Sequence, residues 1–234
     1  MQKLKSRIIY YYDNMIAKLL WIKYKKRPYI EFYRAVMRHT SKTNLAGSTG
    51  GGDWDKSAQY QLDRLKRYGM KPHHSLFELG CGQLRGGRLS VAYLDAGNYY
   101  GNDISEEVLT EAQNVLTRED LSDKQVSLYL TKNLEFNEVS GKTFDYIHAQ
   151  SVLSHMPPED IQTLFKNVKK IMHKDSKFLA SFFISKDETI YPFHNMKNFA
   201  FPIRWMVDRG LENELKVELV EDQSKQKLMQ ITLA

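Results

Sequence analysis

The sequence predicts an α/β fold in which a doubly wound, mainly parallel β-sheet follows a helical N-terminal extension. Three observations support this prediction. From residue 75 onward, short apolar runs alternate with amphipathic segments, as in a series of βα units. A glycine-rich turn directly follows the first apolar run. Residues 1–42 instead contain apolar residues at helical spacing and an excess of positive charge.

Length and charge limit how the chain is organised. A chain of 234 residues with 42% hydrophobic residues can bury one good core and leave room for a small appendage. Residues 1–42 contain 11 Lys or Arg and two acids, which leaves 23 basic and 26 acidic side chains for the remainder. The basic character therefore belongs to the N-terminal segment, and this segment alone is expected to attract an anionic partner.

Cysteine content and hydropathy indicate the compartment. A single cysteine excludes an internal disulfide framework. No secretory signal follows the first methionine, and no apolar stretch reaches the ~18 residues of a membrane span. We therefore expect a cytoplasmic protein, with association at a membrane surface as the alternative for its basic segment.

Two helices are predicted before the sheet. The first ends before Pro28 and the second carries Phe32. The apolar stripe of the first helix consists of Ile8, Tyr12, Met15, Ile16, Leu19 and Ile22. A glycine-rich linker at 46–52 is expected to end the second helix. The predicted division is a basic helical extension or cap at 1–44 and a main domain at 45–234.

A third helix is predicted to lead into the first strand. Asp53 is in the position of an N-cap, and Gly69 ends the pattern. Between them, Ala58, Leu62 and Leu65 supply a buried stripe.

Strands and helices then alternate, which predicts a parallel sheet with helices on both faces. The predicted strands are 75–79, 98–102, 126–130, 143–149 and 177–184. The predicted helices are 86–95, 105–117 and 158–173. Two further strands, at 215–220 and 227–233, are expected to form a terminal hairpin.

The turn after the first strand predicts a nucleotide-like ligand. Gly80 and Gly82 remove side chains where the backbone must approach such a ligand. Glu78 places a charge at the end of the strand, where it can meet a cationic part of the ligand. A dinucleotide fingerprint would have its third glycine where this chain has Arg85. The turn therefore differs from that fingerprint.

Two downstream features complete the pattern. Asp103 directly follows the second predicted strand, 23 residues after Gly80, where an acid can accept both hydroxyls of a ribose or cap the following helix. Residues 143–157 read TFDYIHAQSVLSHMP, a strand with a Phe-Asp start and a Val-Leu-x-His continuation. The glycine turn, the acid and this segment, in this order, resemble the class I S-adenosylmethionine-dependent methyltransferases.

The resemblance covers about residues 45–234 and implies a Rossmann-like methyltransferase fold, with a seven-stranded sheet whose last strand is antiparallel. It implies S-adenosyl-L-methionine as the methyl donor and S-adenosyl-L-homocysteine as the product. The implied cofactor-binding residues are Glu78, Gly80, Cys81, Gly82, Arg85, Asp103, Ile104, Asn133, Leu134 and Gln150. Asn133 follows the third strand, where its amide oxygen can accept a hydrogen bond from the adenine amine. Arg85 can approach the cofactor carboxylate or cross the helix surface to an acid.

His155 is the candidate catalytic residue. It follows the fourth strand, at the carboxyl edge where open α/β sheets bind ligands. A histidine there can deprotonate an acceptor hydroxyl, and the alternative is that it stabilises the turn before Pro157. Ser151 is expected to line the acceptor pocket on the same edge.

An aromatic insertion at 185–209 separates the last parallel strand from the terminal hairpin. Loops of this length are uncommon without a function, and we interpret the insertion as a substrate lid. Tyr191, His194 and Trp205 are its candidate pocket residues. The alternative is a helix whose aromatic side chains pack into the core.

These features predict an enzyme that methylates a small molecule, on an oxygen of a sugar, phenol or secondary metabolite. No acidic cluster occurs near Gln150, so no metal is expected. An alternative is that residues 1–42 dock on a membrane or RNA, where the enzyme methylates a lipid headgroup or nucleotide, although the apolar stripe is expected to pack on the main domain. A third hypothesis is a cofactor-binding domain without catalysis. The oligomeric state is left open.

Overall fold

The computed structural model describes residues 2–48, 53–193, 196–223 and 226–234. This part of the chain contains seven α-helices and nine β-strands. The helices are α1 (Gln2–Tyr24), α2 (Tyr29–Ser48), α3 (Trp54–Arg67), α4 (Arg88–Tyr93), α5 (Glu106–Arg118), α6 (Pro158–Val168) and α7 (Ile203–Leu211). The strands are β1 (Leu76–Leu79), β2 (Tyr99–Asp103), β3 (Ser127–Leu130), β4 (Phe144–Ala149), β5 (Met172–Ile184), β6 (Tyr191–Phe193), β7 (Asn198–Phe201), β8 (Leu215–Gln223) and β9 (Gln226–Leu233).

The sheet is mainly parallel, and its antiparallel pairs all lie beyond the β4–β5 pair. Strands β1 to β5 pair in parallel in the order β3-β2-β1-β4-β5. β9 pairs antiparallel with β5, and β8 pairs antiparallel with β9. This arrangement confirms the predicted α/β sheet with an antiparallel last strand. The strand order reverses between β1 and β4, and ligands bind at the carboxyl ends of the strands at such a point.

β5 is longer than predicted and pairs with two different strands beyond β4. Its residues 178–182 pair with β9, whereas Phe183 and Ile184 pair in parallel with β7. β6 and β7 form an antiparallel hairpin. The insertion at 185–209 therefore extends the sheet with two strands that the sequence did not predict, and α7 follows them.

The boundaries near the N-terminus are partly as predicted. The side chain of Asp53 accepts a hydrogen bond from the Lys56 N–H at 3.1 Å, and Gly69 has a φ of +99° after α3. The hydrogen bond confirms the predicted N-cap of α3, and the dihedral angle of Gly69 confirms its predicted end. The predicted linker was wrong at residues 46–48, which continue α2, because a single glycine inside a helix costs only about 1 kcal/mol. Residues 49–52 lie outside the described part of the chain.

The two N-terminal helices form part of the main hydrophobic core. Phe32 of α2 is fully buried, and its ring contacts Trp21 of α1 at 5.2 Å between centroids. α1 packs inward through Ala17 and its neighbours rather than through the predicted stripe, of which Tyr12, Met15, Leu19 and Ile22 are exposed and Ile16 is half-buried. Within the described residues, no helix is long and apolar enough to cross a bilayer.

Candidate cofactor and acceptor site

A cavity of ≈ 450 Å³ lies where the carboxyl ends of β1, β2 and β4 meet α2. This volume falls within the range of small-molecule sites. Nine of the predicted site residues line it, namely Gly80, Gly82, Arg85, Asp103, Ile104, Leu134, Gln150, Ser151 and His155. The sheet therefore brings together residues that are up to 75 positions apart in the chain, from Gly80 to His155.

The glycine turn is fixed by the neighbouring strand β2. Gly80 and Gly82 have φ values of +68° and +58°, in the left-handed region that favours glycine. The Gly80 N–H donates to Asn102 Oδ1 at 3.2 Å, and the Gly82 N–H donates to Asp103 Oδ2 at 3.1 Å. A Cβ on Gly80 would lie 2.6 Å from Val152 Cγ2, so a side chain there would displace the loop after β4.

Asp103 lines the cavity with a carboxyl group that is 8% exposed. Burial raises the pKa of this carboxyl to about 6, although backbone N–H groups of Ser105, Gly82 and Ile104 oppose the shift. The side chain of Ser105, not that of Asp103, caps α5 by accepting from the Val108 N–H. Ser105 therefore fills the helix-capping role that the sequence also allowed for Asp103.

Glu78 lies on the opposite side of β1 from the cavity. Its carboxylate accepts a hydrogen bond from the Tyr99 hydroxyl and lies 3.7 Å from Nδ1 of His148. Adjacent residues of a strand point to opposite faces, and Leu79 is the neighbour that lines the cavity. Glu78, predicted to meet the cationic part of the cofactor, is therefore not part of the cavity lining and contacts Tyr99 and His148 on the neighbouring strands.

Cys81 and Asn133 are also outside the cavity lining. Cys81 packs against Gly101 of β2, where its Sγ would be 2.9 Å from an added Cβ, and burial raises the pKa of its thiol. Asn133 Oδ1 accepts from the Glu135 N–H at 3.1 Å and so shapes its own loop. Thr131 and Leu134 line this end of the cavity, and Cys81 and Asn133, which were predicted to contact the cofactor, do not.

The aromatic residues of the insertion do not line the cavity. Tyr191 is exposed, and Trp205 stacks on Phe201 at 5.1 Å between ring centroids. The structure therefore corrects their predicted place in the pocket, because the aromatic side chains of this segment mainly pack on one another. The predicted pocket residue His194 lies outside the described part of the chain. Lys197 and Asn198, which the sequence analysis did not select, line the cavity from the same hairpin.

His155 is held in a defined tautomer. Its Nδ1 lies 2.8 Å from the backbone oxygen of Lys197. Because a carbonyl oxygen can only accept, Nδ1 carries the proton and Nε2 is the acceptor nitrogen. Burial lowers the pKa of His155, which favours the neutral ring near pH 7. The ring also stacks on Tyr33 at 5.1 Å between centroids, with 27° between their planes.

Helix α2 supplies one wall of the cavity. Tyr29, Tyr33 and Met37 line it at a spacing of four residues, which is one face of a helix. In the sequence, this four-residue repeat of large side chains was the signal that this face of α2 is buried. Arg34 of the same helix donates to the backbone oxygens of Ile104 at 3.3 Å, Thr131 at 3.4 Å and Lys132 at 3.3 Å. This side chain therefore fixes α2 to the ends of β2 and β3.

A network of polar side chains fixes the loop after β4. Ser151 has a φ of +59°, its N–H donates to Ser181 Oγ at 2.7 Å, and its hydroxyl donates to Gln226 Oε1 at 2.8 Å. Gln150 Oε1 accepts from Arg64 Nη1 at 2.7 Å. The two predicted pocket residues of this loop are therefore anchored to α3, β5 and β9.

Two further observations describe the chemistry of the site. Asp160 lines the cavity, and burial together with Glu159 raises the pKa of its carboxyl to about 6. The described residues contain no group of three or more His, Cys, Asp or Glu that could hold a metal ion.

A family model described as a methyltransferase domain matches residues 77–178, the segment that contains the glycine turn and His155. Among solved structures, magnesium protoporphyrin IX methyltransferase from Synechocystis PCC 6803 with bound S-adenosylmethionine is 15% identical, with a TM-score of 0.63 over 86% of this chain and 97% of that chain. A glycopeptide N-methyltransferase in complex with sinefungin is 13% identical, with a TM-score of 0.59 over 76% and 94%. An S-adenosylmethionine-dependent methyltransferase from Clostridium acetobutylicum is 12% identical, with a TM-score of 0.59 over 86% and 98%. At these identities the structures show a shared fold.

Proposed function

We propose that this chain, whose residues 77–178 match a methyltransferase-domain model, is an S-adenosylmethionine-dependent methyltransferase that methylates an oxygen atom of a small-molecule acceptor bound beside His155. The tautomer of His155 is the observation that carries this proposal. A hydroxyl acceptor must lose a proton as the methyl group arrives, and Nε2 of His155 is an acceptor at the edge of the cavity. The fold alone does not select an acceptor, since the named relatives act on a porphyrin and on a glycopeptide.

The residues that line the cavity fit S-adenosylmethionine. When bound, this cofactor supplies an electrophilic methyl group on a sulfonium centre. The bare backbone of Gly80 and Gly82 would lie along its methionine portion, and the Asp103 carboxylate would accept hydrogen bonds from the ribose hydroxyls. Ile104 and Leu134 provide apolar surface for the adenine.

The other residues of the site align the acceptor and exclude water. Tyr33 stacks on His155 and restricts the direction of its ring. The wall formed by Tyr29 and Tyr33 favours a flat or aromatic acceptor, such as a phenol, over a fully hydrated one. Because methyl transfer needs mainly alignment of the reacting atoms, these contacts would supply much of the rate. The proton of the acceptor hydroxyl would pass to Nε2 of His155 and then to solvent.

Isothermal titration calorimetry tests the cofactor assignment. Wild-type protein is expected to bind S-adenosylmethionine and S-adenosylhomocysteine, and not NAD. Asp103→Ala is expected to weaken cofactor binding about tenfold or more, because the buried ribose contact is worth at least one charge-assisted hydrogen bond. Asp175→Ala is the matched control, since Asp175 is an exposed acid remote from the cavity lining. Binding of NAD without binding of S-adenosylmethionine would refute the assignment.

Transfer of a labelled methyl group from S-adenosylmethionine tests the acceptor class. The screen pairs each hydroxyl compound, such as a phenol, with its amine analogue. We expect the wild type to methylate the hydroxyl member of a pair, and His155→Gln to lose this activity. Preferential methylation of the amines would contradict the oxygen assignment, and cofactor binding without transfer to any acceptor would favour a non-catalytic domain.

A further inference from the structure

Helix α1 has two apolar faces, of which one is buried in the core and the other is largely exposed. The inner face includes Ala17 and Trp21, which belong to or contact the main core. The outer face consists of Tyr11, Tyr12, Met15, Leu19 and Ile22, and we call these five residues the outer ridge. Their side chains are between 47% and 63% exposed. An apolar ridge of about three helical turns therefore faces solvent, beyond what isolated surface residues account for.

The outer ridge is flanked by positive charge. The exposed lysines of this region are Lys18, Lys23, Lys25 and Lys26. Of the two acids in residues 11–42, Asp13 contacts His39 at 3.2 Å and Glu31 pairs with Arg27 at 3.2 Å. Because both acids have local partners, the lysines beside the ridge carry an excess of positive charge that the helices do not neutralise.

An open groove of ≈ 640 Å³ runs along α2 from Tyr24, the last residue of α1, and continues this basic surface. Its polar lining consists of Arg27, Glu31, Arg34, Arg38, His39 and Lys42. The ridge and the groove are adjacent, because the Tyr12 ring lies 5.6 Å from the ring of His39. Arg38 and Lys42 follow Arg34 at intervals of four residues, so one edge of the groove presents a row of cations.

The combination of apolar and basic side chains selects among possible partners. The ridge has the spacing of a coiled-coil seam, but the flanking lysines of two copies would lie near one another, which disfavours self-association. RNA would neutralise the lysines without covering Met15, Leu19 and Ile22. An anionic bilayer does both, since apolar side chains enter the headgroup boundary while lysines meet lipid phosphates.

We propose that the α1–α2 hairpin docks the protein on a bilayer that contains anionic lipids. The outer ridge inserts at the boundary between headgroups and acyl chains, and the lysines beside it contact lipid phosphates together with Lys42 of the groove. This docking is independent of the methyl transfer, because it uses the outer sides of α1 and α2. The inner side of α2 lines the catalytic cavity through Tyr29 and Tyr33.

Co-sedimentation of the full chain with vesicles tests the proposal. The vesicles are phosphatidylcholine alone, and phosphatidylcholine with phosphatidylserine. The ridge variant is Met15→Ser with Leu19→Ser and Ile22→Ser. Its matched control is Leu130→Ser with Leu211→Ser and Leu219→Ser, which are exposed apolar residues elsewhere, at 45%, 61% and 42% exposure. Wild type and the control are expected to bind the anionic vesicles, and the ridge variant is expected to lose at least about tenfold in affinity.

A second set of variants tests the charge. Lys18→Gln with Lys23→Gln and Lys26→Gln is expected to weaken binding about fivefold per lysine, since each lysine near an anionic surface contributes of order 1 kcal/mol. The matched control is Lys166→Gln with Lys170→Gln and Lys174→Gln, which changes three exposed lysines in and after α6. The control is expected to bind as wild type does.

Several results would overturn the docking proposal. The proposal fails if wild type does not bind anionic vesicles, if it binds both kinds of vesicle equally, or if the ridge variant binds as well as wild type. Light scattering that shows a wild-type dimer lost in the ridge variant would assign the ridge to self-association instead, and RNA binding without vesicle binding would assign the lysines to RNA. Calorimetry with S-adenosylmethionine on the ridge variant shows that it remains folded and separates failed docking from failed methyl transfer.

Discussion

Asp103 gives cofactor binding a pH dependence. Burial raises the pKa of its carboxyl to about 6, so the free protein is protonated there below this pH. Ribose hydroxyls donate to the ionised form, and we therefore expect the affinity for S-adenosylmethionine to fall as the pH drops through about 6, by up to about tenfold per pH unit. Calorimetry between pH 5 and pH 8 measures this change.

Asp103→Asn is the control for that titration. Its affinity is expected to be low and independent of pH over the same range, because the amide does not ionise. A wild-type affinity that is constant from pH 5 to pH 8 would show that the ionised carboxyl of Asp103 is not required.

His155 is expected to act in the chemical step and not in cofactor binding. His155→Gln should lower kcat by about 10²–10⁴-fold and leave the affinity for S-adenosylmethionine unchanged, because glutamine can still donate to the Lys197 oxygen but cannot serve as a base. In wild type, kcat/KM should rise with pH to a plateau that begins below the usual histidine range, since burial lowers the pKa of the ring.

The control for this prediction is His73→Gln, at an exposed histidine outside the cavity lining. It should retain wild-type kcat. If His155→Gln also retains wild-type kcat, the residue stabilises the turn before Pro157 and the base is another group.

The residues of the site differ in how far the sequence predicted them. Gly80 and Asp103 were predictable, because their roles depend on backbone positions at strand ends. Glu78 was not, because all four residues of β1 are buried and no alternation of polar and apolar residues tells which side of the sheet each one faces. The structure turns Glu78 away from the cavity, where Tyr99 supplies its hydrogen bond.

Helix α2 joins the catalytic cavity to the N-terminal surface, and Arg34 is the side chain that fixes it to the sheet. We expect Arg34→Ala to lower the free energy of unfolding by about 1–3 kcal/mol, because three backbone oxygens lose their donor. The affinity for S-adenosylmethionine should also fall, since the loops after β2 and β3 border the adenine end. Urea unfolding and calorimetry measure the two effects.

Arg38→Ala provides a matched control one turn further along α2. The Arg38 side chain is 69% exposed, and its Nε lies 3.6 Å from Glu107, so the change should cost less than about 0.5 kcal/mol. Equal losses in the two variants would mean that the contacts of Arg34 with the backbone oxygens have no special role.

The attachment of α2 to the sheet was not predictable from local sequence. The helical pattern of α2 was evident, but Arg34 contacts residues 70 to 98 positions away, and no periodicity reports such pairings. The insertion at 185–209 is similar. Its length suggested a lid, whereas the register of β7 against Phe183 and Ile184 makes it an extension of the sheet.

The N-terminal helices and the sheet are expected to unfold together, because they share one core. Phe32→Ala should lower the free energy of unfolding by about 3–5 kcal/mol, and with it the Tm by roughly 2–4 °C per kcal/mol, in a single transition. Differential scanning calorimetry measures this shift. Leu130→Ala, at an exposed residue of β3, should change the Tm little.

Two separate transitions, with only the smaller one shifted by Phe32→Ala, would contradict this expectation. They would mean that residues 1–44 form an appendage with its own stability, as the division predicted from charge suggested.

The pairing of β5 with two strands fixes the hairpin that borders one side of the cavity. The hairpin that carries Lys197 and Asn198 is joined to β5 by backbone hydrogen bonds, including one from the Ser185 N–H to the Phe201 oxygen at 3.0 Å. Among the described residues, α2 contacts the sheet through side chains alone. We therefore expect the hairpin to keep its place on the sheet, so that the cavity opens only if α2 releases its side-chain contacts, those of Arg34 among them. Departure of the methylated product would then set the turnover rate, and a burst of product in the first turnover would reveal it.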